Sequence, residues 1–205
     1  KLPAPMTPKK SSTFYGTSTK RERFTIKTEI LKNSNSMANS KLLQPFILRW
    51  EGGFVNDPLD RGGATNKGIT IGTFRQFYGK EATVEQLKSI TDEQWLAIFK
   101  AGYWNPWCAD EIANQSIANI VVDWAWASGT KTSIKQVQRI LNVSVDGIVG
   151  PKTLAAINSA NPRELFDQIH DARLEFVDDI VRRNPSQSRF IRGWKNRINN
   201  IKFSA

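Results

Sequence analysis

At 205 residues, with 40% hydrophobic and 23% charged side chains, the chain can bury a proper core as one domain or two small ones, in the balance of an ordinary soluble globular protein. Lysine and arginine outnumber the acids 29 to 19, and the resulting net charge of +10 suits an acidic polymer as partner. The single cysteine, Cys108, excludes an intramolecular disulfide framework, and one cysteine with one histidine, His170, excludes a Cys/His zinc site.

Residues 1–36 are rich in Lys, Ser and Thr and show only a brief alternation at Phe24, Ile26 and Ile30, so they read as a tail or added segment with room for one short strand. Met37 is a candidate natural start. Leu42, Leu43, Phe46, Ile47 and Trp50 then recur at the spacing of an amphipathic helix, and Pro45 is expected within its first turn. Gly52 or Gly53 is expected to end that helix in a left-handed conformation. Thr83 with Gln86 and Thr91 with Gln94 are capping boxes that open two short helices. Trp95, Ile98 and Phe99 pack the second of these, and Asn105-Pro106 closes it.

The next helix, over 117–127, is almost wholly apolar yet contains Asp123. A buried acid must be paired or hydrogen-bonded, so Asp123 is expected to tie a neighbouring element in place, with a cleft-facing acid the alternative. Ile134, Val137, Ile140 and Leu141 mark a further helix, Asp146-Gly147 a tight turn, and Pro151 the first turn of the helix after it. The last long stripe runs over 162–182 through Leu165, Ile169, Phe176 and Ile180, with His170 beside it in a structural position. Routes through a Ser/His or Cys/His nucleophile lose support accordingly. Most of the seven tryptophans fall in helical apolar patterns, which assigns them to the core and leaves one or two over for a surface role. No internal repeat or signal peptide is recognisable, and no run approaches the ~18 apolar residues of a membrane span.

The chemistry concentrates at Trp50-Glu51-Gly52-Gly53-Phe54. Glu51 is placed where the helix ends, and the negative end of the helix dipole disfavours an ionised carboxylate there by roughly 0.3–1 kcal/mol. Desolvation by Trp50, Phe54 or a distant aromatic would add to that, and the combination reads as a general acid. The following stretch to Thr70 is poor in core residues and crowded with turn formers and sugar- or water-bonding side chains. Asp57 or Asp60, returning over the helix end, could face Glu51 across a cleft, the two-carboxylate layout that glycoside hydrolysis requires. Thr65 and Asn66 could position the water.

Glu51-Gly52-Gly53-Phe54, Asn56-Asp57-Pro58 and Asp60-Arg61-Gly62-Gly63-Ala64-Thr65-Asn66-Lys67-Gly68-Ile69-Thr70 together resemble the signature of glycoside hydrolase family 108, the lysozyme-like N-acetylmuramidases of phages and bacteria. Residues 99–110, with Tyr103-Trp104-Asn105-Pro106-Trp107, and the helix over 117–129 are similar to the family as well. Phe54 departs from it, standing where a tyrosine is usual; the aromatic face is kept. The resemblance implies that Glu51 is the catalytic acid and that the segment around Asp60 and Thr65 carries the second acid and a water-holding threonine, with Asp57 competing for the former role. Asp57, Asn66, Tyr103 and Trp104 are the expected substrate contacts. Val143 to Ile157, with Asp146-Gly147 and Gly150-Pro151, and the closing Phe190 to Arg197 resemble the peptidoglycan-binding segment that usually follows.

The expected architecture is mainly α, a lysozyme-like helical fold with a small hairpin or irregular loop after the Glu51 helix. Residues 1–36 form the tail, 37–129 the catalytic region and 130–205 a helical peptidoglycan-binding module packed on it, since no Pro/Gly/Ser-rich linker separates them. The expected reaction is hydrolysis of the β-1,4 bond between N-acetylmuramic acid and N-acetylglucosamine, with no metal or organic cofactor. The partners are peptidoglycan glycan strands, with teichoic acids and peptide stems matching the basic surface. The resemblance places the protein in bacteria or phages, made in the cytoplasm and acting on the wall in lysis or secretion, with a holin or secretion system for export. Two rivals differ in class. One is a peptidoglycan-binding protein that does not cut, against which Glu51 and Asp60 stand. The other is a basic helical nucleic-acid binder, which no zinc-finger, RNA-recognition or basic-zipper pattern supports.

Overall fold

The computed structural model describes residues 37–56 and 63–204. The alternation at Phe24, Ile26 and Ile30 and the two aspartates Asp57 and Asp60 therefore lie outside the described residues. What is described is mainly α-helical, with a single small antiparallel hairpin, in agreement with the expected class.

Helix α1, Ser40–Trp50, starts where the Asn39 side chain accepts from the Lys41 N–H, and it buries Ser40, Leu43 and Ile47. It differs from expectation in three places. Pro45 sits at the sixth helical position rather than in the first turn. The proline leaves the Lys41 carbonyl without its donor, and both residues lie on the exposed side, where water can serve that carbonyl. Leu42, counted into the apolar stripe, is 65% exposed. Neither Gly52 nor Gly53 takes a positive φ; the helix ends on Glu51 itself, in extended conformation, its N–H donating to the Ile47 carbonyl at 3.2 Å.

The hairpin pairs β1, Thr65–Asn66, with β2, Ile69–Thr70, in the register Thr65 to Thr70 and Asn66 to Ile69. Its two-residue turn, Lys67-Gly68, has φ of 49° and 78°, the positive values that a tight right-twisting hairpin demands. Thr70 then caps α2, Ile71–Tyr78. The capping boxes at Thr83 and Thr91 form as expected, opening α3, Val84–Lys88, and α4, Asp92–Phe99. The α-helix gives way at Phe99, before Asn105-Pro106, to a π-helical turn over Lys100–Trp104, closed by the Asn105 N–H on the Lys100 carbonyl. Two 3₁₀ turns follow, Asn105–Trp107 and Ala109–Glu111, pivoting on Cys108 at φ 47°.

Helix α5, Gln115–Ser128, is the axis of the core and is buried from Ser116 through Ala125 except at the half-buried Asn119. Helices α6, Thr130–Ile140, and α8, Pro162–Arg183, pack against it, and α9, Ser188–Asn200, packs against α8. Between them Pro151 opens α7, Pro151–Ser159, as its ring predicts. The preceding loop is built around the buried Gln138, whose amide donates to the Asp146 carboxylate and the Ile148 carbonyl and accepts from the Gly147 N–H. Four tryptophans, Trp95, Trp104, Trp107 and Trp124, are fully buried, in line with the core assignment of most of the seven. His170 bonds Asn199 at 3.1 Å and holds α8 to α9, a structural role. No helix among the described residues is long and apolar enough to cross a membrane.

Candidate active site

Glu51 is held at the end of α1 with its side chain 19% exposed. Its Oε1 accepts two hydrogen bonds, from the Trp126 indole N–H at 2.6 Å and from Arg197 Nη1 at 3.0 Å. Trp126 comes from the last turn of α5 and Arg197 from α9, so three helices distant in sequence meet on one oxygen. The other oxygen, Oε2, faces the hairpin turn. A Cβ placed on Gly68 would lie 2.8 Å from Oε2 and 2.6 Å from Trp126 Cζ2. Gly68 is thus required twice, by its φ and by this approach.

The hairpin is held in that position from behind. Trp95 donates its indole N–H to the Lys67 carbonyl at 2.9 Å. Asn66, 6% exposed, donates both amide hydrogens to α3, to the Leu87 carbonyl at 3.0 Å and the Lys88 carbonyl at 2.9 Å. Asn66, an expected contact of substrate or water, thus spends both amide hydrogens on anchoring the hairpin, and its carbonyl oxygen is the atom left for such a contact. Thr65 lies on the same hairpin, half-buried, with its backbone bonded to Val55 in both directions at 2.8 Å and its hydroxyl 3.5 Å from the Gly63 carbonyl.

Aromatic rings floor the site. Trp126 leans on Tyr103, Phe99 and Trp95, with ring centroids 4.7, 5.8 and 5.5 Å away. Burial, and then the charge of Glu51, push the Tyr103 phenol above its ordinary pKa, which puts this hydroxyl within the electrostatic reach of the acid. Trp104, by contrast, is fully buried and donates its indole N–H to Asp110 at 2.7 Å. It packs the core and has no face for a sugar, which corrects its assignment as a substrate contact. The aromatic in contact with Glu51 is Trp126, through its indole N–H, while Trp50 lies tilted against Phe46 with Arg49 over its ring.

Behind the acid lies a chain of charges. Arg197 donates through Nε and Nη2 to Asp123 Oδ1, at 3.1 and 2.7 Å, while Arg173 Nη2 donates to Asp123 Oδ2 at 2.8 Å. Asp123 is 0% exposed and Arg173 2%, so both sit in the core and are charge-compensated there. Burial lowers the Arg173 pKa from its ordinary value, with Asp123 opposing. Burial also works against Arg197, but Asp123 and Glu51 outweigh it and its pKa is raised. Asp123 therefore ties α5 to α8 and α9, the structural reading of that buried acid.

The structure gathers Glu51, Tyr103 and the Thr65 hairpin, and it adds Trp126 and Arg197, which sequence reasoning did not single out. Among the described residues no group of three or more His, Cys, Asp or Glu side chains converges to hold a metal.

The chain is similar to known proteins along most of its length. Residues 44–129 match the family model Glycosyl hydrolase 108, and residues 132–199 match the model Predicted Peptidoglycan domain. The solved structure of SagA from Brucella abortus is 30% identical, superposes with a TM-score of 0.66, and the alignment covers 78% of this chain and 90% of that one. Among curated proteins nothing matches. With these two regions in this order on a lysozyme-like, mainly α fold, the chain belongs to the glycosyl hydrolase 108 family and is a glycoside hydrolase active on peptidoglycan.

Proposed function

We propose that the protein is an N-acetylmuramidase that cleaves the β-1,4 bond between N-acetylmuramic acid and N-acetylglucosamine, with Glu51 as general acid. The observation that carries this reading is the Glu51 carboxyl, mostly withdrawn from water at a helix end, with two N–H donors on one oxygen and the other turned to the hairpin. An oxygen already accepting two N–H bonds has no lone pair well placed for the acid proton. In the acid form of Glu51 the proton is therefore carried on Oε2. From there it passes to the glycosidic oxygen as the bond to the leaving sugar breaks, and Glu51 returns to the carboxylate. Asp60, or Asp57, stabilises the oxocarbenium-like state or orients water, and Thr65 holds that water. Tyr103 lies on the floor of the same site and contacts the glycan.

In this reading the catalytic region spans 37–129 and the peptidoglycan-binding module 130–205. The net charge of +10 attracts the anionic wall, where peptide stems and teichoic acids supply the opposite sign. The activity serves phage-type lysis or secretion-associated wall remodelling, with a holin or secretion system carrying the protein to its substrate.

Turbidity clearing of purified cell walls by wild type and Glu51→Gln is the test. Loss of a general acid costs about 10²–10⁴-fold in rate, so the variant should leave the walls turbid while keeping its melting temperature. Mass spectrometry of the digest with reducing-end analysis fixes the bond, and N-acetylmuramic acid is expected at the new reducing end. Equal clearing by both proteins, or N-acetylglucosamine at that end, refutes the reading.

A further inference from the structure

The acid and the arginine that grips it stand 146 positions apart in the chain. Glu51 falls in the stretch matching the hydrolase family and Arg197 in the stretch matching the peptidoglycan domain. We propose that Arg197 is a positioning residue for Glu51 in the glycosidase reaction, so that the C-terminal module completes the acid site. The proposal rests on Glu51 being the general acid.

The geometry of the guanidinium carries it. Two of its N–H groups are spent on Asp123 Oδ1, and the third direction of the fork reaches Glu51 Oε1. Asp123 cannot drift, because Arg173 holds its other oxygen and the whole carboxylate is buried. Arg197 is therefore a rigid arm whose far end fixes one oxygen of the acid. With Trp126 on the same oxygen, the carboxyl keeps one rotation about its last bond, and Oε2 is left as the proton-bearing atom.

The same contact acts on the reaction itself. As the proton leaves Oε2, negative charge accumulates on the carboxylate, and Arg197 and Trp126 are already oriented toward it. Pre-oriented donors stabilise a developing charge without reorganising. Such an interaction strengthens on the way to the transition state, so its removal lowers kcat and leaves KM alone. A purely structural tie between α9 and α5 needs only the Asp123 contacts. The additional bond to Glu51 is what a structural role does not explain.

The test uses the full chain with Arg197→Lys and Arg197→Gln. Lysine keeps the charge for Asp123 but has a single ammonium, so it cannot bridge two carboxylates as the guanidinium fork does. We expect kcat on soluble peptidoglycan fragments to fall about 10-fold for lysine and roughly 100-fold for glutamine, with KM within about twofold of wild type. The Trp126 indole N–H proton resonance reports on the Glu51 carboxylate independently of activity, and it should move in Arg197→Lys. If Arg197→Gln fails to fold, Arg197→Lys and that resonance decide. A folded Arg197→Lys with wild-type kcat and an unmoved resonance overturns the proposal, and so does a loss confined to KM, which would make the arginine a substrate contact. Glu51→Gln separates the two levels: if it stays active, the assignment of the acid fails; if it is inactive while Arg197→Lys is normal, only the role of Arg197 fails.

Discussion

Replacing Gly68 by alanine should damage the proposed catalysis far more than folding, because the methyl group points into the acid. Ordinary van der Waals contact begins at 3.4 Å, and the new Cβ would start 2.8 Å from Glu51 Oε2 and 2.6 Å from Trp126 Cζ2. Relief requires displacements of about 0.6 and 0.8 Å, shared between the carboxylate, the indole and the hairpin turn. The turn has little freedom, since Trp95 holds the Lys67 carbonyl and Asn66 is bonded to α3. The acid and its indole donor must therefore give way. A misplacement near 1 Å costs about 10²-fold, so a kcat loss of roughly 10- to 100-fold is expected. On the folding side, a φ of 78° costs an alanine about 1–2 kcal/mol. For a chain of this size that corresponds to a fall of about 2–8 °C in melting temperature. Calorimetry gives the second figure, and initial rates of wall clearing with kcat and KM on soluble fragments give the first. A folded Gly68→Ala with wild-type kcat would refute the placement of the hairpin turn against Glu51.

Other substitutions separate structure from chemistry. Asn66→Ala leaves two carbonyls of α3 without donors, and we expect about 2 kcal/mol lost in urea unfolding with KM unchanged per folded molecule; a raised KM would return Asn66 to the substrate. Asp123→Asn leaves the buried Arg173 and Arg197 without their shared anion, so about 3–5 kcal/mol should be lost on denaturation, and a loss under about 1 kcal/mol would contradict the ion cluster as drawn. Asp146 titrates below its ordinary value of 3.8, first because the Gln138 amide donates to it and then because the Ile148 N–H does. A depressed carboxylate stabilises the fold above its unfolded pKa and loses that contribution as pH falls through the folded one. Asp146→Asn should therefore lower the melting temperature at neutral pH and make no difference in strongly acidic buffer, with equal effects at both overturning the linkage.

Periodicity and capping made the frame readable in advance. Both capping boxes and the Pro151 start follow from local chemistry, because a Thr side chain or a proline ring acts within one turn. The α8 stripe is half right: Leu165 and Ile169 are buried as expected, but the buried face continues through Arg173 and Val177, and Phe176 and Ile180 are only half-buried. The errors arise where a tertiary or longer-range term decides. Leu42 matched the α1 stripe by spacing but is exposed, and Pro45 entered the helix because its face is solvated. The π turn at Lys100–Trp104 shifts the aromatic run by one residue, leaving Tyr103 at the site while Trp104 goes into the core. Adjacent aromatics in a motif cannot both face a cleft once the backbone is helical. The anchoring of Asn66 has a related cause, since in a strand it alternates with Thr65 and its amide turns toward α3.

The charge chain behind Glu51 was less visible than the acid itself, yet half of it had a local signal. Asp123 inside an apolar helix requires a cation or hydrogen-bond donors. Arg173 occupies the buried stripe Leu165, Ile169, Arg173, Val177, four residues apart each time, and an arginine in that stripe requires an anion. Each is an anomaly alone, and each is the other's remedy, so pairing α5 with α8 follows from the two together. Arg197 gives no such warning. It lies in α9 among Arg189, Arg192 and Lys195, where a fourth cation looks like one more solvated charge. Only after Asp123 is placed does an oxygen remain for a second guanidinium, which adds a polar tie to the apolar packing of Trp194 and Ile198 that already brings α9 toward α5 and α8. The acid site is therefore assembled in order of necessity: a buried anion recruits one arginine, its spare oxygen recruits another, and the free end of that second arginine reaches Glu51. A chain in which Asp123 were replaced by an apolar residue would have no use for Arg173 in its core and nothing to steady Arg197 at the acid.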